Sequence, residues 1–286
     1  MTNRWLMGAA AAALTVAGAF AAQAADLPTK KMAPAPVFVP PPFTWTGFYV
    51  GVNAGGIFTT GSRTTTLYAN GFPFLQNYYP TSLGSGQTGF IGGGQAGYNW
   101  QSGAAVFGIE TDFDGTTASK NSTFVSSPFT GLPTTFTVVT PSGAVVPLNG
   151  DALNANAQAR LSWLGTTRAR IGFVATPDNR LMFYGTGGVA YGGGSGNLSV
   201  FDNVSGSYWS GSPSSTRVGW TLGAGVEYAI TNNITVKGEY LYYNLGSSNV
   251  VTAGNTSAAA AFPGVYATAK YTYDGSIFRA GLNYKF

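Results

Sequence analysis

Cysteine and histidine are both absent from this 286-residue chain. Without cysteine there is no disulfide and no thiol chemistry. Without histidine the usual general base and the commonest metal ligand are missing, and a Ser/His/Asp arrangement is excluded outright. Charge is scarce as well, at 8% of residues. Past the first two dozen residues no apolar run approaches the ~20 residues that a membrane-spanning helix needs. What the chain does have is 41 glycines and an aromatic content of 14%. Such a profile fits either a low-complexity secreted protein or a membrane barrel whose apolar residues are hidden by alternation.

The amino terminus reads as an export signal. Arg4 gives a positive start, Leu6 to Phe20 form a short alanine-rich apolar run, and Ala22-Gln23-Ala24 offers a small-x-small cleavage site. Excluding residues 1–24 leaves 262 residues with thirteen basic and ten acidic side chains, a net +3. That length suits one all-β domain. The basic excess is small and unclustered, so nucleic acid is not an expected partner. The next segment, 25–43, contains Pro28, Pro34, Pro36, Pro40, Pro41 and Pro42. Proline in this density supports neither helix nor ladder and predicts an extended periplasmic tether.

At the other end, Phe278, Ala280, Leu282, Tyr284 and Phe286 alternate with Arg279, Gly281, Asn283 and Lys285. One apolar face and one charged face, at period two, suit a strand between lipid and a polar interior. Seven further segments carry the same alternation: 45–58, 89–100, 105–113, 160–174, 181–191, 217–230 and 234–244. The sixth of the eight is the clearest, with Val218, Trp220, Leu222, Ala224, Val226 and Tyr228 set against Thr221, Gly223 and Glu227. In the fourth, Leu161, Trp163, Ile171 and Phe173 are read as lipid-facing. With register chosen from the apolar residues, every charged side chain inside these spans falls on the opposite face, as a lipid boundary requires. Ile91, Leu164, Met182, Leu241 and Ile277 are expected to point inward. Trp45, Trp100, Trp163, Trp220, Tyr228 and Tyr284 fall near strand ends, where interfacial girdles sit.

Connections alternate in length. Gln101–Ala104, Thr176–Arg180 and Thr231–Asn233 are short, whereas 59–88, 114–159, 192–216 and 245–275 are long. Short turns on one side and long loops on the other is the arrangement of a transmembrane barrel with both termini in the periplasm.

Candidate chemistry is thin. Gly92, Gly94 and Gly97 spell the dinucleotide fingerprint, but they lie within a strand and lack the βαβ context that gives it meaning. Glu110 and Asp112 share a strand face about 7 Å apart. Paired carboxylates can do acid/base work or bind a divalent cation. However, Arg168 and Arg170 share the inner face of the neighbouring strand. An ion-pair network is the expectation, with Glu227, Lys237, Glu239 and Arg279 as further members. No cofactor, metal site or catalytic residue is expected. The five Asn-x-Ser/Thr sequons are what loops rich in those residues contain by chance.

Four phrases, Trp45 to Gly56, Gly92 to Trp100, Trp163 to Gly172 and the C-terminal strand, together resemble the alphaproteobacterial outer-membrane immunogenic, porin-family barrels, which are similar to outer-membrane protein A-type barrels. The resemblance implies an eight-stranded antiparallel barrel over residues 44–286. It also implies that Leu282, Tyr284 and Phe286 form the signal read by the barrel-assembly machinery. Barrel hydrolases of this membrane resemble one another in using histidine, which this chain lacks, so enzymatic activity is not expected. The function read from the sequence is that of a structural, surface-exposed outer-membrane protein. It would support envelope integrity, contact lipid and lipopolysaccharide, and present its loops to host or phage. The second reading is a narrow porin.

Overall fold

A computed structural model describes residues 43–286, apart from 74–81, 132–136, 140–141, 148–149 and 213. The expected signal peptide, and the expected tether up to Pro42, lie outside the described residues. Eight long strands dominate: β1 (Gly47–Ala69), β2 (Ser82–Ser102), β3 (Ala105–Thr116), β4 (Leu153–Val174), β5 (Leu181–Asp202), β6 (Ser214–Ala229), β7 (Ile234–Val251) and β8 (Val265–Lys285). Each pairs antiparallel with its sequence neighbours, and β1 pairs with β8 from Tyr49↔Lys285 up to Ala69↔Val265. The ring therefore closes, and the principal strands leave no open sheet edge in the membrane.

Alternation is the reason these segments are strands of a lipid-facing barrel. Val218 and Leu222 on β6 are exposed by 69% and 61%, whereas Thr221 and Glu227 between and below them are buried. In a soluble protein that pattern would be inside out; against lipid it is the low-energy arrangement, because the bilayer accepts Val and Leu and rejects carboxylate. Three tight turns join the strands at the end that carries residues 43 and 286. In two of them Gly103 and Asn179 supply a positive φ angle, 60° in both.

The strands run well past the spans read from the sequence, and much of what reads as long loop is their upper continuation. Ser119–Val125 extends the ladder on β4, and Tyr208–Gly211 pairs with the top of β5. A one-and-a-half-turn helix, Thr256–Ala261, is capped by Asn255, which accepts from the Ala258 amide at 2.8 Å.

In this upper half the two faces exchange polarity. Leu67, Ala155, Ala157, Ala159, Leu198, Val200, Ala267, Ala269 and Tyr271 are buried inside, while Thr64, Asn156, Gln158, Asn197 and Lys270 face outward. On β4 the exchange is made by an irregularity. The register with β5 shifts between Leu161 and Trp163, so Ser162 is an inserted residue. A bulge of this kind reverses the facing of everything beyond it.

Two expectations fall to that bulge. Leu161 is not on the lipid face but 4% exposed in the interior, and Arg160 is exposed on the outside, against the rule that charges in the strand spans face inward. A third expectation fails at the opposite end. Trp45 is not part of a lipid-facing girdle; it precedes β1 and is 1% exposed, tucked under the barrel. Ile91, Leu164, Met182, Leu241 and Ile277 all lie inside, at 1% exposure or less. Trp100, Trp220, Tyr228 and Tyr284 are exposed on the outer face, and Trp163 stacks on Phe113 at 5.3 Å between ring centres.

Candidate functional site: the closed lumen

Three layers fill the interior, each built by a different chemistry. The lowest is a short strap, Phe43 to Thr46, folded beneath the strands. The Trp45 indole donates to the Asn179 carbonyl and its amide donates to Gln101 Oε1, both at 2.8 Å. Phe43 meets Trp45 edge-on at 5.0 Å, with the Arg180 guanidinium 5.6 Å and the Lys285 ammonium 5.5 Å from the Phe43 ring centre. Both cations face the aromatic π-system. Val106, Val174, Met182, Tyr184 and Ala229 complete this layer.

The middle layer is ionic. Period two aims Glu110, Asp112 and Asp114 inward from β3, and Arg168 and Arg170 inward from β4. Glu227 comes from β6, Lys237 and Glu239 from β7, and Arg279 from β8. Arg168 spans the centre, reaching Glu110 at 2.6 Å, Asp112 at 2.9 Å and Glu239 at 2.9 Å. Arg279 binds Asp112, Asp114 and Glu239, each at 2.7 Å. Arg170 reaches Glu227 at 2.6 Å and lies 4.0 Å over the Tyr184 ring. Lys237 sits 2.8 and 2.9 Å from the two oxygens of Glu110.

Neutral groups occupy the remaining lone pairs. Tyr49 donates to Glu110 at 2.7 Å, Thr166 to Asp112 at 2.7 Å, Tyr184 to Glu239 at 3.0 Å, and both Thr235 and Asn283 to Glu227. Each of these charges is at least 95% buried. Burying ions is costly, and only dense mutual pairing of this kind offsets it; removing one partner costs about 3–5 kcal/mol.

All eight residues singled out from the sequence thus lie in one cluster. The sequence reading missed Asp114, which lies one residue beyond the predicted third segment, although its parity with Asp112 was there to be read. It also missed Tyr49 and Tyr184, since an inward tyrosine looks like a misplaced girdle residue until its hydroxyl finds a carboxylate. Glu110 and Asp112 do not stand as a free carboxylate pair, because four cations, Arg168, Arg170, Lys237 and Arg279, share them. Gly92, Gly94 and Gly97 lie within β2 with no helix following. A Cβ on Gly97 would collide with the Tyr49 hydroxyl, so this glycine makes room for the network.

The top layer is apolar and contains Leu67, Phe129, Leu153, Leu198, Val200, Trp209, Leu245 and Tyr271 among others. Trp209 donates its indole N–H to the Val265 carbonyl at 2.9 Å and packs on Phe262, just beyond the short helix. Between the top and middle layers a cavity of only ~10 Å³ remains, lined by Arg63, Leu161, Tyr243 and Tyr271. That is the space of about one water molecule.

A closed eight-strand ring with lipid-facing apolar residues and a packed, charge-paired interior defines a small transmembrane β-barrel. The chain belongs to the outer membrane protein beta-barrel domain family, which matches residues 10–286. It is 36% identical to the 31 kDa outer-membrane immunogenic protein of Brucella melitensis, over 85% of each chain. It is 29% identical to the 22 kDa outer membrane protein of Rhizobium leguminosarum bv. viciae, over 74% of this chain and 69% of that one. Among solved structures, the outer membrane protein OprG from Pseudomonas aeruginosa aligns over 85% of this chain and 98% of its own, with 11% identity and a TM-score of 0.45. This is an outer-membrane protein.

Proposed function

We propose that the barrel is a sealed, structural and surface-exposed element of the outer membrane, without catalytic activity. The observation that carries this reading is the interior: a π–cation strap, an ionic layer and an apolar layer stacked with room for about one water between the upper two. An open pore spends its inward polar groups on water and solute; here they are spent on each other. The contribution to the cell is then mechanical and superficial. The outer face anchors lipid and, above the upper girdle, offers Asn156, Gln158, Arg160 and Lys270 to lipopolysaccharide. The connections above the barrel present surface to host or phage, a reading supported by relatives named as immunogenic outer-membrane proteins. Leu282, Tyr284 and Phe286 project outward at the last strand, open to the barrel-assembly machinery during insertion.

The competing reading is a narrow porin, favoured by the polar, glycine-rich inner face of β2 and β5. Liposome swelling in small sugars separates the two. Proteoliposomes holding folded, heat-modifiable protein should swell no faster than empty ones; swelling that falls with sugar size would establish the porin instead.

A further inference from the structure

One buried cation of the upper half has no counter-charge. Period two turns Arg63 inward from β1, where it is 2% exposed. Its Nη1 donates to neutral oxygens, Ser122 Oγ at 3.2 Å and the Ala157 carbonyl at 3.4 Å. Its Nη2 is buried and donates to nothing. The groups that act on its charge are Tyr271 and Tyr273, whose hydroxyls are neutral at physiological pH. In the layer below, Arg168, Arg170, Lys237 and Arg279 each meet a carboxylate at 2.6–2.8 Å. Arg63 meets none among the described residues.

The same side chain lines the ~10 Å³ cavity between the top and middle layers, together with Gln87, Tyr243 and Tyr271. Two more buried polar atoms of that lining are unsatisfied, the Tyr243 hydroxyl and Gln87 Oε1. Tyr273 lines the cavity as well. The Arg217 guanidinium, also outside any ion pair among the described residues, lies 3.9 Å from the Tyr273 ring centre. A guanidinium kept from water without an opposite charge is costly, and a partner that supplies the charge offsets that cost.

Size and charge together select the partner. Space for about one water excludes phosphate, sulfate and carboxylates and leaves a single-atom anion. We propose that this cavity is a chloride site, in which Arg63 Nη2 and the Tyr243 hydroxyl donate to the ion. Half a turn of the Gln87 side-chain amide replaces its oxygen with an NH₂ donor to the same ion. One water would satisfy the three atoms as hydrogen-bonding groups but would leave the charge of Arg63 uncompensated. The proposal goes beyond the structural reading above, and a sealed lumen is compatible with either occupant.

The test is urea unfolding of the refolded, heat-modifiable protein in lipid vesicles, followed by tryptophan fluorescence. Sodium chloride is compared with sodium gluconate, whose anion is too large for the cavity, at equal ionic strength. With chloride tenfold above its dissociation constant, the folded-to-unfolded ratio should rise about tenfold over gluconate. The rise should saturate with chloride and disappear in Arg63→Gln, while Arg180→Gln, at the opposite end of the barrel, keeps it. Arg63→Gln removes a charge that has no carboxylate partner, so the barrel still folds, which heat-modifiability checks. Arg63→Lys keeps the charge and should keep a weakened chloride dependence. Equal stability of the wild type in the two salts, or a chloride effect that survives Arg63→Gln, would overturn the proposal and leave water in the cavity.

Discussion

The lower and upper halves of this barrel are built from the same strands with opposite polarity. Below the upper girdle, Glu110, Arg168 and Arg279 are inside and Val52, Leu222 and Ile171 are outside. Above it, Leu198, Val200 and Ala157 are inside and Asn156, Gln158 and Lys270 are outside. Solvent explains both halves: lipid rejects charge and water accepts it, so each stretch of strand turns its apolar side toward whichever neighbour is apolar. The boundary marks the outer membrane interface, and a single inserted residue, Ser162, carries β4 across it. The strength of the interior differs accordingly. The lower layer depends on pairs that cannot be broken singly without leaving a buried charge, and the upper layer depends on area and packing.

The most severe way to break this contrast is to shift the parity of the upper stretch of β4. Deleting Ser162, the inserted residue, should be tolerated, because Leu161 then follows Trp163 with its facing kept, whereas deleting Gln158 should turn Leu153, Ala155 and Ala157 toward water. The expected outcome of the second deletion is loss of the ordered upper half, seen as rapid proteolysis above a still-inserted stump. Next in size is the ionic layer. Arg168→Ala with Arg170→Ala leaves Glu110 and Glu227 short of partners and should cost about 3–5 kcal/mol for each broken buried pair. The temperature at which the folded electrophoretic band converts to the unfolded one should fall clearly; an unchanged temperature would sink the ionic account.

A charge scan across the boundary sharpens the comparison further. Leu222→Arg, near the middle of the lipid face, should cost about 2–4 kcal/mol in a bilayer unfolding assay. Gln158→Arg, on the same outer surface but above the girdle, should change stability by no more than about 0.5 kcal/mol. Equal penalties at the two sites would contradict the polarity exchange.

The smallest effect is on pH. Burial and the neighbouring Asp202 push Asp151 up to about 7, against about 3.9 in an unfolded chain. Between those values the folded state keeps a proton that the unfolded state has released, so the contact of Asp151 with the end of β5 loses stability as pH rises through that window. Protease should cut next to Asp151 faster at pH 8 than at pH 5. An identical rate at both would remove Asp151 from the account.

Much of the lower half was legible because lipid imposes one rule on every strand. Val218 to Tyr228 and Phe278 to Phe286 announce their facing by parity alone, and the inward set Glu110, Asp112, Arg168 and Arg170 follows from it. The upper half was equally regular: Leu153, Ala155, Ala157 and Ala159 alternate with Asn154, Asn156, Gln158 and Arg160. It passes for loop in the sequence because its aliphatic members are mostly alanine, and because the sense of the alternation depends on a bulge that no local residue type announces. Leu161 was misassigned for that reason. Trp45 failed differently. A tryptophan next to a strand end satisfies the girdle pattern, and only the tertiary partners Asn179 and Gln101 draw it under the barrel. The clustering of Asp151 with Asp202 required two distant segments to meet, which alternation alone does not reveal.

The central claim is that the lumen is sealed, and single-channel recording tests it most directly. Refolded mature protein, shown by heat-modifiability to be folded and by protease protection to be inserted, is examined in a planar lipid bilayer. The account predicts silence at moderate voltage, and the same silence from Gln158→Arg. Discrete, reproducible conductance steps from the folded wild type would contradict it and turn Arg168, Arg170, Lys237 and Arg279 from a plug into a selectivity lining.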